Sequence, residues 1–150
     1  MSAPTLFTIG YEGAAIGPAL DRLSGAGVGL LIDVRALPLS RKPGFSRRQL
    51  AAGVEERGIR YAHLRGLGTP KPGRDAARRG DTETMTAIFA AHMLTDAARH
   101  DLEAAIGLAG QTPACLLCFE REPHRCHRRI VAELIAERSG QRIEHLLVYG

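Results

Sequence analysis

The chain has 150 residues, of which 45% are hydrophobic, and this length and composition predict one domain with a substantial core. No apolar run approaches the roughly 20 residues that a membrane helix needs, and the N-terminal stretch lacks the pattern of a secretory signal. We therefore expect a cytoplasmic protein without a membrane partner. The net charge of +4 comes from 20 basic and 16 acidic residues.

Arginine supplies nearly all of the positive charge, because only Lys42 and Lys71 are lysine. Guanidinium groups bind phosphate and carboxylate in a bidentate manner, which suggests an anionic partner. An arginine-rich, lysine-poor composition is equally typical of a GC-rich genome. The positions of the arginines therefore have to distinguish binding of an anion from a bias in composition. The basic residues do cluster, in segments 35–48, 65–79 and 121–129.

Hydrophobic periodicity predicts strands and helices that alternate along the first half of the chain. Strands are predicted at 5–10, 30–34 and 59–64, and helices at 14–23 and 47–58. Ser46 is positioned to cap the second helix, and Gly58 suits its C-terminal left-handed position. The segment 65–80 is rich in glycine and basic residues without apolar periodicity, which predicts a loop that is either a functional lid or partly disordered.

The second half continues the alternation. Asp81 can cap a helix whose inner face carries Met85, Ile88, Phe89 and His92, and a further helix covers 95–109. A strand at 114–120, a helix at 126–139 and a strand at 142–149 complete the chain. The pattern predicts a doubly wound α/β fold, with a mainly parallel sheet of about five strands and helices on both faces. In such sheets ligands bind beyond the carboxyl ends of the strands.

Polar residues follow three of the predicted strands. The first strand is followed by Tyr11 and Glu12, the second by Asp33, Arg35, Ser40 and Arg41, and the fourth by Cys118 and Glu120. Each has an ordinary structural interpretation: Asp33 and Arg35 as an ion pair, Tyr11 as a half-buried aromatic. Their convergence on one edge of the sheet nevertheless predicts a binding site there.

The stretch LLCFEREPHRCHRR, residues 116–129, concentrates reactive side chains. Strand alternation places Cys118 and Glu120 on one face and Cys115 on the other, as a core residue. Cys126 and His127 precede the buried stripe of the following helix and should tilt towards the sheet. Three interpretations compete: a metal site, a thiol active site and an anion pocket at the helix N-terminus.

The donor types fit zinc, but adjacent Cys126 and His127 on a helix diverge by about 100°, so we predict no metal site and no cofactor. The phosphatase-like pattern C-x5-R fails because position 124 is histidine and Arg125 comes one residue late. Cys118 and Cys126, expected to be reduced, are either nucleophiles or small packing residues.

Four stretches together resemble the DUF488 family: TIGYEG at 8–13, IDVRALPLSRKPGFS at 32–46, YAHLRGLG at 61–68 and LLCFEREPHRCHR at 116–128. The resemblance implies a small α/β domain, and it implies no activity, since the family is named for having no established function. The family motifs fall on Tyr11, Glu12, Gly13, Asp33, Arg35, Pro38, Ser40, Arg41, Phe45, Ser46, Cys118, Glu120, Cys126, His127 and Arg128.

The leading hypothesis is an enzyme that acts on a phosphorylated or other anionic substrate, with nucleotides or nucleic-acid components as one class. Anion binding is assigned to Tyr11, Glu12, Arg35, Ser40, Arg41 and Arg128. Chemistry is assigned to Asp33, Glu120 and His127 for proton transfer and to Cys126 or Cys118 as nucleophile. The alternative is a non-catalytic nucleic-acid-binding or regulatory module, although few aromatic residues are present to stack on single strands.

Overall fold

A parallel sheet of five strands forms the centre of the protein in a computed structural model that describes residues 3–149. The strands run in the spatial order β3-β2-β4-β1-β5, and every pairing between them is parallel. Their bounds are β1 Leu6–Gly10, β2 Leu30–Asp33, β3 Arg60–His63, β4 Ala114–Cys118 and β5 Ile143–Leu146. The predicted doubly wound α/β fold is confirmed.

Six helices cover the two faces of the sheet. They are α1 Ile16–Gly25, α2 Arg47–Glu56, α3 Lys71–Arg78, α4 Thr82–His92, α5 Asp96–Gln111 and α6 His127–Ser139. Helices α1 and α2 bury Leu23 and Val54 against one face, whereas α3 to α6 bury side chains such as Phe89 and Ile135 against the other. Within residues 3–149 no helix has the length and apolarity needed to cross a membrane.

The central strand β4 shows why the strands are apolar along their whole length. Cys115 and Leu117 belong to the core under α1 and α2, while Leu116 and Cys118 belong to the core under α3 to α6. Both faces are therefore buried, as is usual in parallel sheets. The predicted alternation along β4 is confirmed, and Cys115 is a fully buried core residue.

The prediction of a loop at 65–80 is wrong. A 3-10 turn covers Arg65–Leu67, and α3 then begins at Lys71 with Pro72 in its first turn, where the missing N–H costs nothing. The buried residues of α3 are Gly73 and Ala76. Because these side chains are so small, the helix leaves no apolar periodicity in the sequence.

The predicted caps are confirmed in part. The Asp81 carboxylate accepts a hydrogen bond from the Thr84 amide, and Gly58 adopts the left-handed conformation with φ of 77°. The Ser46 hydroxyl makes no capping bond to α2. It accepts instead from the Ser40 amide and donates to the Ser40 carbonyl, both at 3.1 Å, which closes the loop between β2 and α2.

Gly10 allows the loop after β4 to cross the end of β1. A β-carbon at Gly10 would overlap the Glu120 carbonyl oxygen and press on the Arg128 guanidinium. We expect Gly10→Ala to lower the free energy of unfolding by about 1–3 kcal/mol through overpacking. Gly107→Ala, in open space within α5, should raise it by about 0.5–1 kcal/mol. Urea denaturation of both variants tests the pair, and equal stabilities would contradict this account.

Candidate functional site

A cavity of about 580 Å³ lies beyond the carboxyl ends of β1, β2 and β4. Loops after all three strands contribute to its wall, as expected from the rule for parallel sheets. The residues predicted from sequence that line it are Tyr11, Arg35, Ser40, Arg41, Cys118, Glu120 and His127. The strand ends account for six of these seven side chains, and the predicted tilt of the last helix towards the sheet accounts for His127.

Four other predicted residues lie outside the wall. Glu12 is exposed and accepts a hydrogen bond from the Arg121 amide at 3.1 Å. Arg128 is fully buried and donates to the carbonyl oxygens of Glu120 and Arg121. Asp33 lies beneath Arg35, and Cys126 lies behind Cys118. These four residues therefore contact the cavity only through their neighbours.

Asp33 and Arg35 form a buried ion pair at the end of β2. The Arg35 Nε and Nη2 atoms donate to the two carboxylate oxygens of Asp33 at 2.9 and 2.7 Å, and the Arg35 amide adds a third bond at 3.1 Å. The Tyr61 hydroxyl donates a fourth bond to Asp33 at 2.5 Å. Burial lowers the pKa of Arg35, but the hydrogen bond and charge of Asp33 outweigh it, so Arg35 stays protonated.

The remaining donor group of Arg35 holds the aromatic floor of the cavity. Its Nη1 donates to the Tyr11 hydroxyl at 3.1 Å and to the Phe45 carbonyl oxygen at 2.8 Å. The Tyr11 ring stacks on Phe45 with centroids 4.4 Å apart and meets Phe119 edge-on at 5.3 Å. All three nitrogens of the Arg35 guanidinium therefore have partners within the protein, and its charge is balanced by Asp33.

The sequence predicts reduced cysteines, whereas the structure joins Cys118 and Cys126 in a disulfide. Cys115 is free and buried, and burial raises the pKa of its thiol. The argument from helical divergence also fails, because Cys126 is the N-cap of α6, with extended backbone at φ −122° and ψ 141°. Its side chain and that of His127 therefore approach each other, and both contact Cys118.

His127 is held as a neutral ring of defined tautomer. Its Nε2 lies 2.8 Å from the Val34 carbonyl oxygen, which can only accept, so Nε2 carries the proton. Burial lowers the pKa of His127 to about 4. The unprotonated Nδ1 lies 3.8 Å from the sulfur of Cys118 and 3.8 Å from that of Cys126.

Glu120 is the carboxyl group of the cavity wall. Burial raises its pKa above the usual range, partly offset by a backbone hydrogen bond and the nearby charge of Arg128. A partly buried carboxyl of this kind is the usual form of a general acid.

Thr69 and Arg74 line the cavity but were not among the residues predicted for the site. Within the described chain, the Thr69 hydroxyl is buried without a hydrogen-bond partner, and Arg74 donates one bond, to the Thr69 carbonyl oxygen. Gly68 presses against the backbone of Ala36, where a β-carbon would overlap. The signal in the sequence was T-P-K-P at 69–72, which is typical of a helix start.

The chain has a doubly wound α/β fold with a cavity at the carboxyl edge of its sheet, the position at which ligands usually bind in folds of this class. A family model described as "Domain of unknown function DUF488" matches residues 16–135. The chain belongs to the DUF488 family, as the motifs indicated. No curated protein and no solved structure shows significant similarity to it.

The ion pair gives a test of stability. Asp33→Asn removes the charge that balances buried Arg35, and we expect it to lower the free energy of unfolding by about 3–5 kcal/mol. The matched change Glu103→Gln breaks an exposed pair with Arg138 and should leave stability near the wild-type value. Chemical denaturation of the two variants measures the difference. A similar loss in both would mean that the Asp33 pair contributes no more than a surface contact.

Proposed function

We propose that this protein is an enzyme that acts on a small phosphorylated or otherwise anionic substrate in the cavity at the carboxyl edge of the sheet. Unbalanced positive charge carries the proposal. Arg41 and Arg74 line the cavity, and among residues 3–149 no carboxylate forms an ion pair with either. Arg78, also in the wall, has only a 4.0 Å contact with Asp75. Guanidinium groups whose charge is not balanced by a close carboxylate favour an anionic ligand.

Hydroxyl groups add hydrogen-bonding capacity beside these arginines. The unpartnered Thr69 hydroxyl is adjacent to Arg74 in the wall, and Ser40 precedes Arg41. A buried hydroxyl without a partner costs free energy, and a bound phosphate oxygen would remove that cost. Two of the arginines predicted to hold the anion bind other parts of the protein instead. Arg35 holds Tyr11 and the Phe45 carbonyl, and Arg128 holds the Glu120 and Arg121 carbonyls. We therefore assign direct contact with the anion to Arg41 and Arg74.

Apolar side chains at the same cavity favour a substrate that is more than a bare phosphate. Leu37, Leu39 and Phe119 line it and are 52, 71 and 41% exposed. Exposed apolar groups in a polar rim are typical of ligand-binding sites. A nucleotide combines a planar apolar base with a phosphate, so we place nucleotides and their components first among the substrates.

The reactive groups line the cavity from the end of β4 and the start of α6. Glu120 is the candidate proton donor, since its raised pKa favours the protonated form. Cys118 and His127 lie in the same wall, with the thiol available as a nucleophile only after reduction of the disulfide. Asp33 acts on the reaction only by positioning Arg35 and, through it, Tyr11.

Anion binding tests the first half of the proposal. We expect ADP and inorganic phosphate to bind the wild-type chain and Arg74→Gln to raise the Kd roughly tenfold or more, the value of one charge-assisted contact. Isothermal titration calorimetry measures it. Arg138→Gln is the matched control, because it removes the same charge from an exposed pair with Glu103 outside the cavity.

Equal effects of the two substitutions would contradict the cavity as the binding site. Binding of oligonucleotides in place of ADP, with strong weakening by salt, would instead favour the nucleic-acid-binding module. The exposed residues Arg47, Arg48, Arg78 and Arg79 are the basis of that second candidate.

Turnover tests the second half. In a panel of nucleotides and phosphorylated sugars, followed by chromatography for hydrolysis or transfer products, we expect at least one substrate to be converted. Glu120→Gln should lower the rate about a hundredfold or more, as loss of a general acid does. Glu122→Gln, an exposed neighbour outside the wall, should keep the wild-type rate. Unchanged turnover in Glu120→Gln would remove Glu120 from the mechanism.

A further inference from the structure

Cys118, Cys126 and His127 form a cluster of three potential metal-ligand atoms. The two sulfurs and the histidine Nδ1 all lie within 4.8 Å of one another, and all three side chains are buried. Cys118 and His127 also line the cavity, so the cluster borders the space available to a ligand. Nothing in the proposed enzyme requires a metal, and the cluster therefore needs its own explanation.

The histidine ring is oriented as a metal ligand would be. Because Nε2–H donates to the Val34 carbonyl oxygen, the lone pair of Nδ1 is directed towards the two sulfurs. Histidines that bind metals usually donate their other ring N–H to a backbone carbonyl or carboxylate in this way. The Val34 carbonyl thus fixes both the tautomer and the direction of the donor atom.

The spacing of the backbone also fits a metal. The α-carbons of Cys118 and Cys126 are 7.3 Å apart, whereas disulfides usually span about 4.4–6.8 Å. Zinc bonds of about 2.3 Å to sulfur and about 2.0 Å to nitrogen place these atoms about 3.6 Å apart in a tetrahedron. The two Nδ1–sulfur separations of 3.8 Å are close to that edge. The 7.3 Å between the α-carbons of Cys118 and Cys126 therefore leaves room for a metal ion between their sulfurs.

We propose that the reduced protein binds a zinc ion through the sulfurs of Cys118 and Cys126 and Nδ1 of His127. Reduction takes two external thiols, which deliver two electrons and two protons to the disulfide and leave joined as one disulfide. Zinc then displaces the two protons from the cysteines. The Arg128 amide, in the first turn of α6, donates to the Cys126 sulfur at 3.5 Å and stabilises the thiolate.

Three protein ligands leave a fourth coordination position. Because Cys118 and His127 lie in the cavity wall, that position is accessible to water or to an oxygen of a cavity ligand. Three protein ligands with one open position are the pattern of catalytic zinc sites, whereas structural sites have four. The same three residues therefore exist in two forms, a disulfide in oxidised protein and a zinc site in reduced protein.

The experiment is a zinc titration of the whole chain in both redox forms. Protein is reduced with a monothiol, separated from it by gel filtration under argon, and compared with the oxidised chain by calorimetry and by metal analysis after dialysis. We expect one zinc per reduced chain, none in the oxidised chain, and recovery of binding after a second reduction. Cobalt bound in place of zinc should give tetrahedral and sulfur-to-metal absorption bands.

Variants identify the ligands. Cys118→Ser and Cys126→Ser should each weaken zinc binding roughly a hundredfold or more, and His127→Gln roughly tenfold or more. Cys115→Ala is the matched control, because that cysteine lies in the opposite core, and it should bind zinc like the wild type. Failure of the reduced wild type to bind zinc, or wild-type affinity in both serine variants, overturns the proposal.

The redox comparison within the wild-type chain does not depend on the folding of any variant. It is also separate from the anion-binding half of the proposed function. ADP binding through Arg41 and Arg74 is measured in the oxidised chain, where the metal site cannot form. Failure of zinc binding would therefore leave the anion-binding proposal standing, and failure of ADP binding would leave the zinc proposal standing.

Discussion

The buried ion pair of Asp33 and Arg35 organises the edge of the sheet at which the cavity lies. Burial of two charges costs several kcal/mol for each ion unless all of their hydrogen bonds are made. Here each carboxylate oxygen of Asp33 accepts two hydrogen bonds, and the Arg35 guanidinium also donates to the Tyr11 hydroxyl and the Phe45 carbonyl. The ion pair at the end of β2 thereby connects three other segments. It bonds Tyr11 after β1, Tyr61 in β3 and the Phe45 carbonyl in the loop before α2.

The ion pair also divides the arginines of the cavity into two groups. The charge of Arg35 is balanced inside the protein by Asp33, whereas Arg41 and Arg74 line the cavity without a carboxylate partner among residues 3–149. The cationic wall is built by the loop after β2 and by α3. Glu120, Cys118 and His127, from the end of β4 and the start of α6, complete the lining. Two groups of segments therefore line the cavity, one that carries Arg41 and Arg74 and one that carries Glu120, Cys118 and His127.

The fold was predictable because apolar strands, helix periodicity and glycine stops are local signals. Six of the side chains at the cavity followed from one rule about the carboxyl ends of parallel strands, and His127 followed from the buried stripe of the last helix. Prediction failed where local geometry departs from the simple repeat. Helix α3 buries only Gly73 and Ala76 and so has no apolar stripe, and Cys126 precedes α6 with extended backbone, which brings its sulfur beside Cys118 and His127. The hydrogen bond from Arg74 to the Thr69 carbonyl forms because Arg74 lies in α3, so it could not be predicted while this segment was taken for a loop.

The contact between Gly68 and Ala36 has a consequence for the shape of the cavity edge. Ala36 lines the cavity, Gly68 directly precedes the lining residue Thr69, and a β-carbon on Gly68 would overlap the Ala36 backbone. Substitution of cavity side chains therefore changes charge and polarity but not the separation of these two segments. Any side chain at position 68 would push these two segments apart, so the spacing between the loop after β2 and the start of α3 depends on glycine at that position.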